Sequence, residues 1–158
     1  MKVIFLDVDG VLNEAYSRSK SPSGCIGIDD DKVELLKQIV DETDAKIVLT
    51  STWKRNWSRN EEMCSADALY LNKKLARCGL KIVDKTIDDI FNRGEGIAKW
   101  LDVHPSFDTW IVLDDDVFSD YEQFGIMSHL VNTHFYTGGL TDKHIQKAIE
   151  LLNGKDVN

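Results

Sequence analysis

The sequence is short of positive charge. Its 158 residues hold 19 Lys and Arg against 27 Asp and Glu, a formal net charge of −8. That excludes a globally basic surface of the kind that binds nucleic acid or membranes by charge alone, while leaving room for a local patch. Cysteine is scarce as well. Cys25, Cys64 and Cys78 are odd in number, widely separated and form no C-x-x-C pair. This excludes a disulfide framework or a zinc knuckle and suits free thiols in a reducing compartment. The four histidines, His104, His129, His134 and His144, lack metal-ligand spacing and read as surface or satisfied core residues. Long apolar runs are missing too. The stretch after Met1-Lys2 is cut by Asp7 after four residues, too short for the core of a signal peptide, and no segment reaches membrane-spanning length. The expectation is a cytoplasmic protein with no membrane partner. What is present, 42% hydrophobic and 29% charged residues, suits one domain over residues 1–158 that can bury a core unaided.

Apolar runs and helical stripes alternate along the chain, without repeats, long linkers or low-complexity tracts. Residues 2–7 read as a buried strand, and residues 14–28, with SRSKSPSG at their centre, as a mobile polar loop. From Asp29 to Thr43, Val33, Leu36, Ile39 and Val40 share one helical face, with three aspartates at the N-terminus, where the helix dipole favours them. A strand over 46–50 follows, then a helix over 66–78, a short strand over 80–83, a helix over 94–102 and a buried strand over 109–113. Residues 129–133 suit a last strand. Thr141 suits an N-cap for a final helix striped by Ile145, Ala148, Ile149 and Leu152. The alternation predicts a three-layer, Rossmann-like α/β domain around a mostly parallel sheet. Ligands of such sheets bind beyond the carboxyl ends of the strands, so the polar residues closing each apolar run are the functional candidates.

Those closing residues are acidic or hydroxylated. The first strand ends in Asp7-Val-Asp9-Gly10, the second in Thr50-Ser51-Thr52, and the strand over 109–113 in Asp114-Asp115-Asp116, with Asp120 beyond; Arg93-Gly94 precedes the helix leading into that strand. A single acidic residue after a strand is usually a turn or cap, and DDD alone carries little. Carboxylates converging on one crevice repel unless a cation sits among them, and oxygen ligands without His or Cys select a hard ion such as Mg²⁺. A hydroxyl and a guanidinium beside that ion suit a phosphate.

In this order the motifs resemble those of the haloacid dehalogenase (HAD) superfamily of phosphohydrolases. FLDVDGVLN (5–13) is similar to its first motif, KIVLTS (46–51) to its second with the hydroxyl at Ser51, and IVLDDDVFSD (111–120) to its fourth. DVDGVLN, LTSTWK, RGEGIAKWL and VLDDD followed by GLT further resemble the HAD domain of "Swiss army knife" RNA-repair proteins. The third motif, normally a lysine, has Arg93 at its position, with Lys99 and Lys85 as alternatives. The resemblance implies a Mg²⁺-dependent phosphatase in which Asp7 attacks phosphorus to give an aspartyl-phosphate. Asp9 protonates the leaving oxygen and then activates water. Mg²⁺ is held by Asp7, the backbone carbonyl of Asp9 and Asp115, with Asp114 and Asp120 as metal-binding or supporting residues. Ser51 and Arg93 act on the phosphoryl oxygens, and Gly10 lets the backbone turn beside the phosphate.

HAD enzymes of small metabolites commonly carry a cap domain. Here the intervals from Gly10 to Lys46 and from Ser51 to Arg93 leave only a short flap, at about 11–28, and single helices. An open, minimally capped or capless site is expected, suited to a phosphate on a larger molecule such as a nucleotide or a nucleic-acid end; no protein partner is inferable. Thr52 and the segment WKRNWSR (53–59) follow Ser51 directly. Lys54 and Arg55 are expected to hold phosphates, and Trp53 or Trp57 to stack a base; alternatively both tryptophans pack under the sheet and the cations are solvated. Two other classes of function stay open. One is a receiver-like phospho-Asp signalling domain, which the motif order opposes. The other is a catalytically idle HAD fold used for binding, which the intact Asp7, Asp9 and Asp115 oppose.

Overall fold

The structure, a computed structural model, describes residues 1–89 and 91–155. Five strands form one sheet: β1 (Lys2–Leu6), β2 (Lys46–Leu49), β3 (Ile82–Lys85), β4 (Thr109–Asp114) and β5 (Leu130–Asn132). Four helices connect them or follow them: α1 (Asp30–Thr43), α2 (Ala66–Ala76), α3 (Arg93–Val103) and α4 (Asp142–Leu152). All pairings are parallel, in the order β3-β2-β1-β4-β5. This is the three-layer Rossmann-like arrangement that the alternation predicts. It also differs from the receiver-type order 2-1-3-4-5, which removes the signalling-domain reading.

The period of two along β1 divides the core between the faces of the sheet. Ile4 and Leu6 join the larger cluster with Val33, Leu36 and Ile39 of α1, Leu71 and Leu75 of α2 and Ala148 and Leu152 of α4. Val3 and Phe5 face Ile97 and Trp100 of α3, with Tyr121 and Ile126. Helices therefore cover both faces, and the chain's polar strand ends emerge together at one edge. The order reverses between β1, which runs next to β2, and β4, so a crevice opens where Asp7 meets Asp114.

Two local expectations shift. The third strand covers 82–85 rather than 80–83, because Leu80 belongs to the end of α2. Gly79 takes φ +72° and the Leu80 N–H donates back to the Leu75 carbonyl at 3.0 Å, a Schellman-type stop whose apolar residue packs against the helix. The polar loop before α1 is tied down by its own serines. Ser17 and Ser19 donate to the Asp29 carboxylate, Ser21 and Ser23 to Asp67 at the start of α2, and the Tyr70 hydroxyl accepts from the Ile28 N–H at 3.0 Å. Among the described residues, no helix is long and apolar enough to cross a membrane.

Candidate active site

Asp7 extends β1 past its last paired residue. Its N–H donates to the Leu113 carbonyl at 2.9 Å, which carries the ladder one step further and sets Asp7 beside Asp114 at the end of β4. Both are buried. Arg93, first residue of α3 and itself buried, reaches between them with Nη1 3.2 Å from Asp7 Oδ1 and 2.8 Å from Asp114 Oδ2. Its guanidinium lies over the Phe118 ring at 4.3 Å. The Tyr121 hydroxyl donates to the same Asp114 oxygen at 2.7 Å, and the Asp116 N–H to the other at 3.0 Å. Arg93 is thus the cation the fold brings to Asp7. Lys99 pairs with Glu95 on the exposed face of α3, and Lys85 donates to the Lys54 and Trp57 carbonyls.

One carboxylate oxygen from each of Asp7, Asp114 and Asp115 lies within 4.8 Å of the others. Burial, and then the neighbouring Asp114, push the Asp7 carboxyl well above its ordinary range, against the pull of Arg93. Burial and Asp114 raise Asp115 as well. Burial alone would lower Arg93, but Asp7 and Asp114 hold it above its usual value. Were all three carboxylates ionised, one guanidinium would leave two negative charges uncompensated, a deficit that a divalent cation would fill. The donor set is oxygen alone, which fits Mg²⁺. The side chains of Asp9 and Asp120 do not join this cluster. Asp120, expected to support the metal, instead accepts from the Gly94 and Glu95 N–H groups at 3.1 and 2.9 Å. It caps α3 and so fixes the helix end that bears Arg93. A Cβ on Gly94 would stand 2.8 Å from that carboxylate.

Asp9 points elsewhere. Its exposed carboxylate accepts from Asn13 Nδ2 at 2.9 Å on Oδ1 and from Trp53 Nε1 at 3.1 Å on Oδ2. Asn13 is fully buried; its Oδ1 also accepts from the Gly10 N–H, and its amide donates to the Gly27 carbonyl, both at 2.9 Å. Gly10 has φ +79°, and a Cβ there would fall 2.2 Å from Asp115 Cγ, so the residue must be glycine for Asp115 to reach the cluster.

At the end of β2, Ser51 is buried and its Oγ accepts from the Trp53 N–H at 3.4 Å, capping the 3₁₀ turn Thr52–Asn56. Thr50, fully buried, has a hydroxyl with no partner among the described residues. Lys54 is buried, and its ammonium holds the Asp88 carboxylate at 2.6 and 2.7 Å, with Thr86 and the Thr50 carbonyl beside it, so its charge is already paired within the protein where it lines the narrow cleft shared with Arg93. Trp57 is likewise core, its Nε1 donating to Asn72 at 2.9 Å. Arg55 stays exposed, beside Arg93 on a narrow cleft. Asn13, Tyr121 and Asp88 carry no mark in the sequence. Only the spacing D-G-x-x-N, an Asx-type turn signal, hints at Asn13.

Two larger cavities meet here. One of about 340 Å³ lies over Asp7, Arg93, Asp114 and Asp115. The other, about 570 Å³, runs from the flap (Pro22, Ser23, Cys25) past Trp53 and Asn56 to Ser65 and Asp67 at the start of α2. Asp9 and Thr52 line both. A parallel α/β sheet with an acidic cluster at its switch point and D-x-D on its first strand defines a HAD-like domain. The family described as "HAD domain in Swiss Army Knife RNA repair proteins" matches residues 3–145, and the chain belongs to it. Among curated proteins and solved structures, nothing matches significantly.

Proposed function

We propose that the protein is a phosphatase that hydrolyses phosphate monoesters through an aspartyl-phosphate on Asp7, with nucleotides or RNA ends as substrates. The observation that carries this reading is the place of Asp9. It stands on the boundary between the cavity over Asp7 and the larger cavity beside it, where a group that protonates a leaving oxygen has to be.

The phosphoryl group occupies the cavity over Asp7. An Asp7 carboxylate oxygen attacks phosphorus as the ester P–O bond breaks, and a proton passes from Asp9 to the departing alkoxide. Asp9 then takes a proton from a water that attacks the phosphorus of the acyl-phosphate, which frees inorganic phosphate and restores Asp7. Arg93 offsets charge on the phosphoryl oxygens, and the hydroxyls of Ser51 and Thr52 donate to them. A Mg²⁺ ion held by Asp7 and Asp115, with Asp114 behind them, would shield the nucleophile's charge from the phosphate. Arg93 suits this place because its Nη1 lies between the two carboxylates while the guanidinium keeps its charge in a buried setting.

The RNA-repair description of the family and the roomy cavity beside Asp9 favour a nucleoside on the leaving side. The test is release of inorganic phosphate from a phosphorylated RNA oligonucleotide, a mononucleotide and a sugar phosphate, with Mg²⁺ and with chelator. Metal-dependent release from the nucleotide or the RNA end, lost in Asp7→Asn, is the expected result. Release from none of the three, or release indifferent to Asp7→Asn, overturns the reading.

A further inference from the structure

Trp53 touches the proposed chemistry in two ways at once. Its indole N–H donates to Asp9 Oδ2 at 3.1 Å, and its half-buried ring forms a wall of the 570 Å³ cavity on the leaving side. The other donor to Asp9, Asn13, is sealed in the interior and bound to Gly10 and Gly27, so no ligand reaches it. Trp53 is therefore the one of Asp9's two side-chain donors that a substrate can contact.

The remaining walls indicate what that substrate part is. Pro22, Ala66, Asn56 and Ser65 are uncharged, and the charged side chains lining the cavity, Asp9 and Asp67, are acidic. Asp67 accepts hydrogen bonds from Ser21 and Ser23, which keep its carboxylate below the usual range against the opposing effect of burial. A second phosphate in this cavity would meet repulsion from the Asp67 carboxylate and no cation among the lining side chains. A flat, uncharged ring would meet the indole face and no penalty.

Resting on the phosphatase reading above, we infer that Trp53 is both a specificity-determining and a positioning residue: its ring carries an uncharged, ring-bearing leaving alcohol, such as a nucleoside, while its N–H holds Asp9 at the leaving oxygen. Binding of the ring and delivery of the proton are then coupled through one side chain. The two roles separate on substitution. Trp53→Phe keeps a ring and loses the N–H; Trp53→Ala loses both.

The experiment is steady-state kinetics with Mg²⁺ on the parent and both variants, using adenosine 5′-monophosphate (ring, poor leaving group), glycerol 3-phosphate (no ring, poor leaving group) and p-nitrophenyl phosphate (ring, good leaving group). A good leaving group needs no acid. In both variants the ratio of kcat/KM for p-nitrophenyl phosphate to kcat/KM for adenosine monophosphate should therefore rise about tenfold or more, because kcat/KM reports the step in which the leaving group departs, whereas kcat also contains breakdown of the shared aspartyl-phosphate. The KM for adenosine monophosphate should rise at least about fivefold in Trp53→Ala and clearly less in Trp53→Phe, as loss of stacking alone requires. The KM for glycerol 3-phosphate should not discriminate between the variants. Where Trp53→Phe does not fold, an isosteric benzothienyl side chain at position 53 removes the N–H alone and should give the same kcat/KM ratio. An active parent whose variants lose kcat/KM equally on aryl and alkyl esters, or whose KM for adenosine monophosphate ignores Trp53→Ala, overturns this inference and leaves the phosphatase reading standing. A parent that releases phosphate from none of the three esters overturns both.

Discussion

Asp115 and Asp116 are adjacent and chemically identical, yet the fold gives them different work. Asp115 turns inward over Gly10 and joins Asp7 and Asp114. Asp116 keeps its side chain exposed and contributes its N–H to Asp114. Asp115→Ala should weaken Mg²⁺ affinity by about tenfold or more, as loss of a direct carboxylate ligand would, and Asp116→Ala by far less. A calorimetric metal titration decides it; the reverse order would move the metal site by one residue. Which of the three consecutive aspartates turns inward is a matter of backbone direction after β4. The sequence alone ranks them only through the resemblance to the fourth HAD motif. Lys54 shows the opposite case. Its neighbours in sequence suggest a phosphate grip, but its true partner Asp88 lies 34 positions away and no local pattern announces it.

Helix α3 works as a lever for Arg93. Asp120 caps its first turn, and Gly94 and Gly96 leave room for the carboxylates of Asp120 and Asp88 to pack against it. Arg93→Ala removes the one guanidinium in the cluster and should lower kcat/KM by about a hundredfold or more, in the range of losing one charge-stabilising donor. Lys99→Ala, two turns along on the exposed face, should lower it by less than about threefold. A kinetic comparison in which Lys99 is essential and Arg93 dispensable would reassign the third motif. Most elements are legible from period and punctuation: β1, β2 and β4 are short apolar runs closed by polar residues, and α4 begins at Thr141 with the His144 imidazole accepting from its N–H at 3.0 Å. The displaced β3 was not legible, because an apolar residue after a helix-ending Gly serves the helix as readily as a strand.

Across the whole molecule, the parallel order places every strand's carboxyl end on one side. Motifs more than a hundred residues apart therefore meet at one crevice, and this part of the fold was readable in the sequence. What was not readable is how that site divides into two cavities around Asp9. The division depends on Asn13, Trp53 and the flap's serine anchors, contacts that span up to 46 positions. The net charge of −8 opposes a basic track along which nucleic acid would bind by charge alone. The central claim is that Asp7 becomes phosphorylated. Its most direct test is acid quenching of the Asp9→Asn variant during turnover of p-nitrophenyl phosphate, whose good leaving group needs no acid, followed by peptide mass mapping. Slowed breakdown in that variant should leave one phosphoryl group on the peptide containing Asp7, labile to hydroxylamine and absent in the Asp7→Asn, Asp9→Asn double variant. Phosphate release by the parent with no adduct on that peptide, and undiminished turnover in Asp7→Asn, would contradict the account.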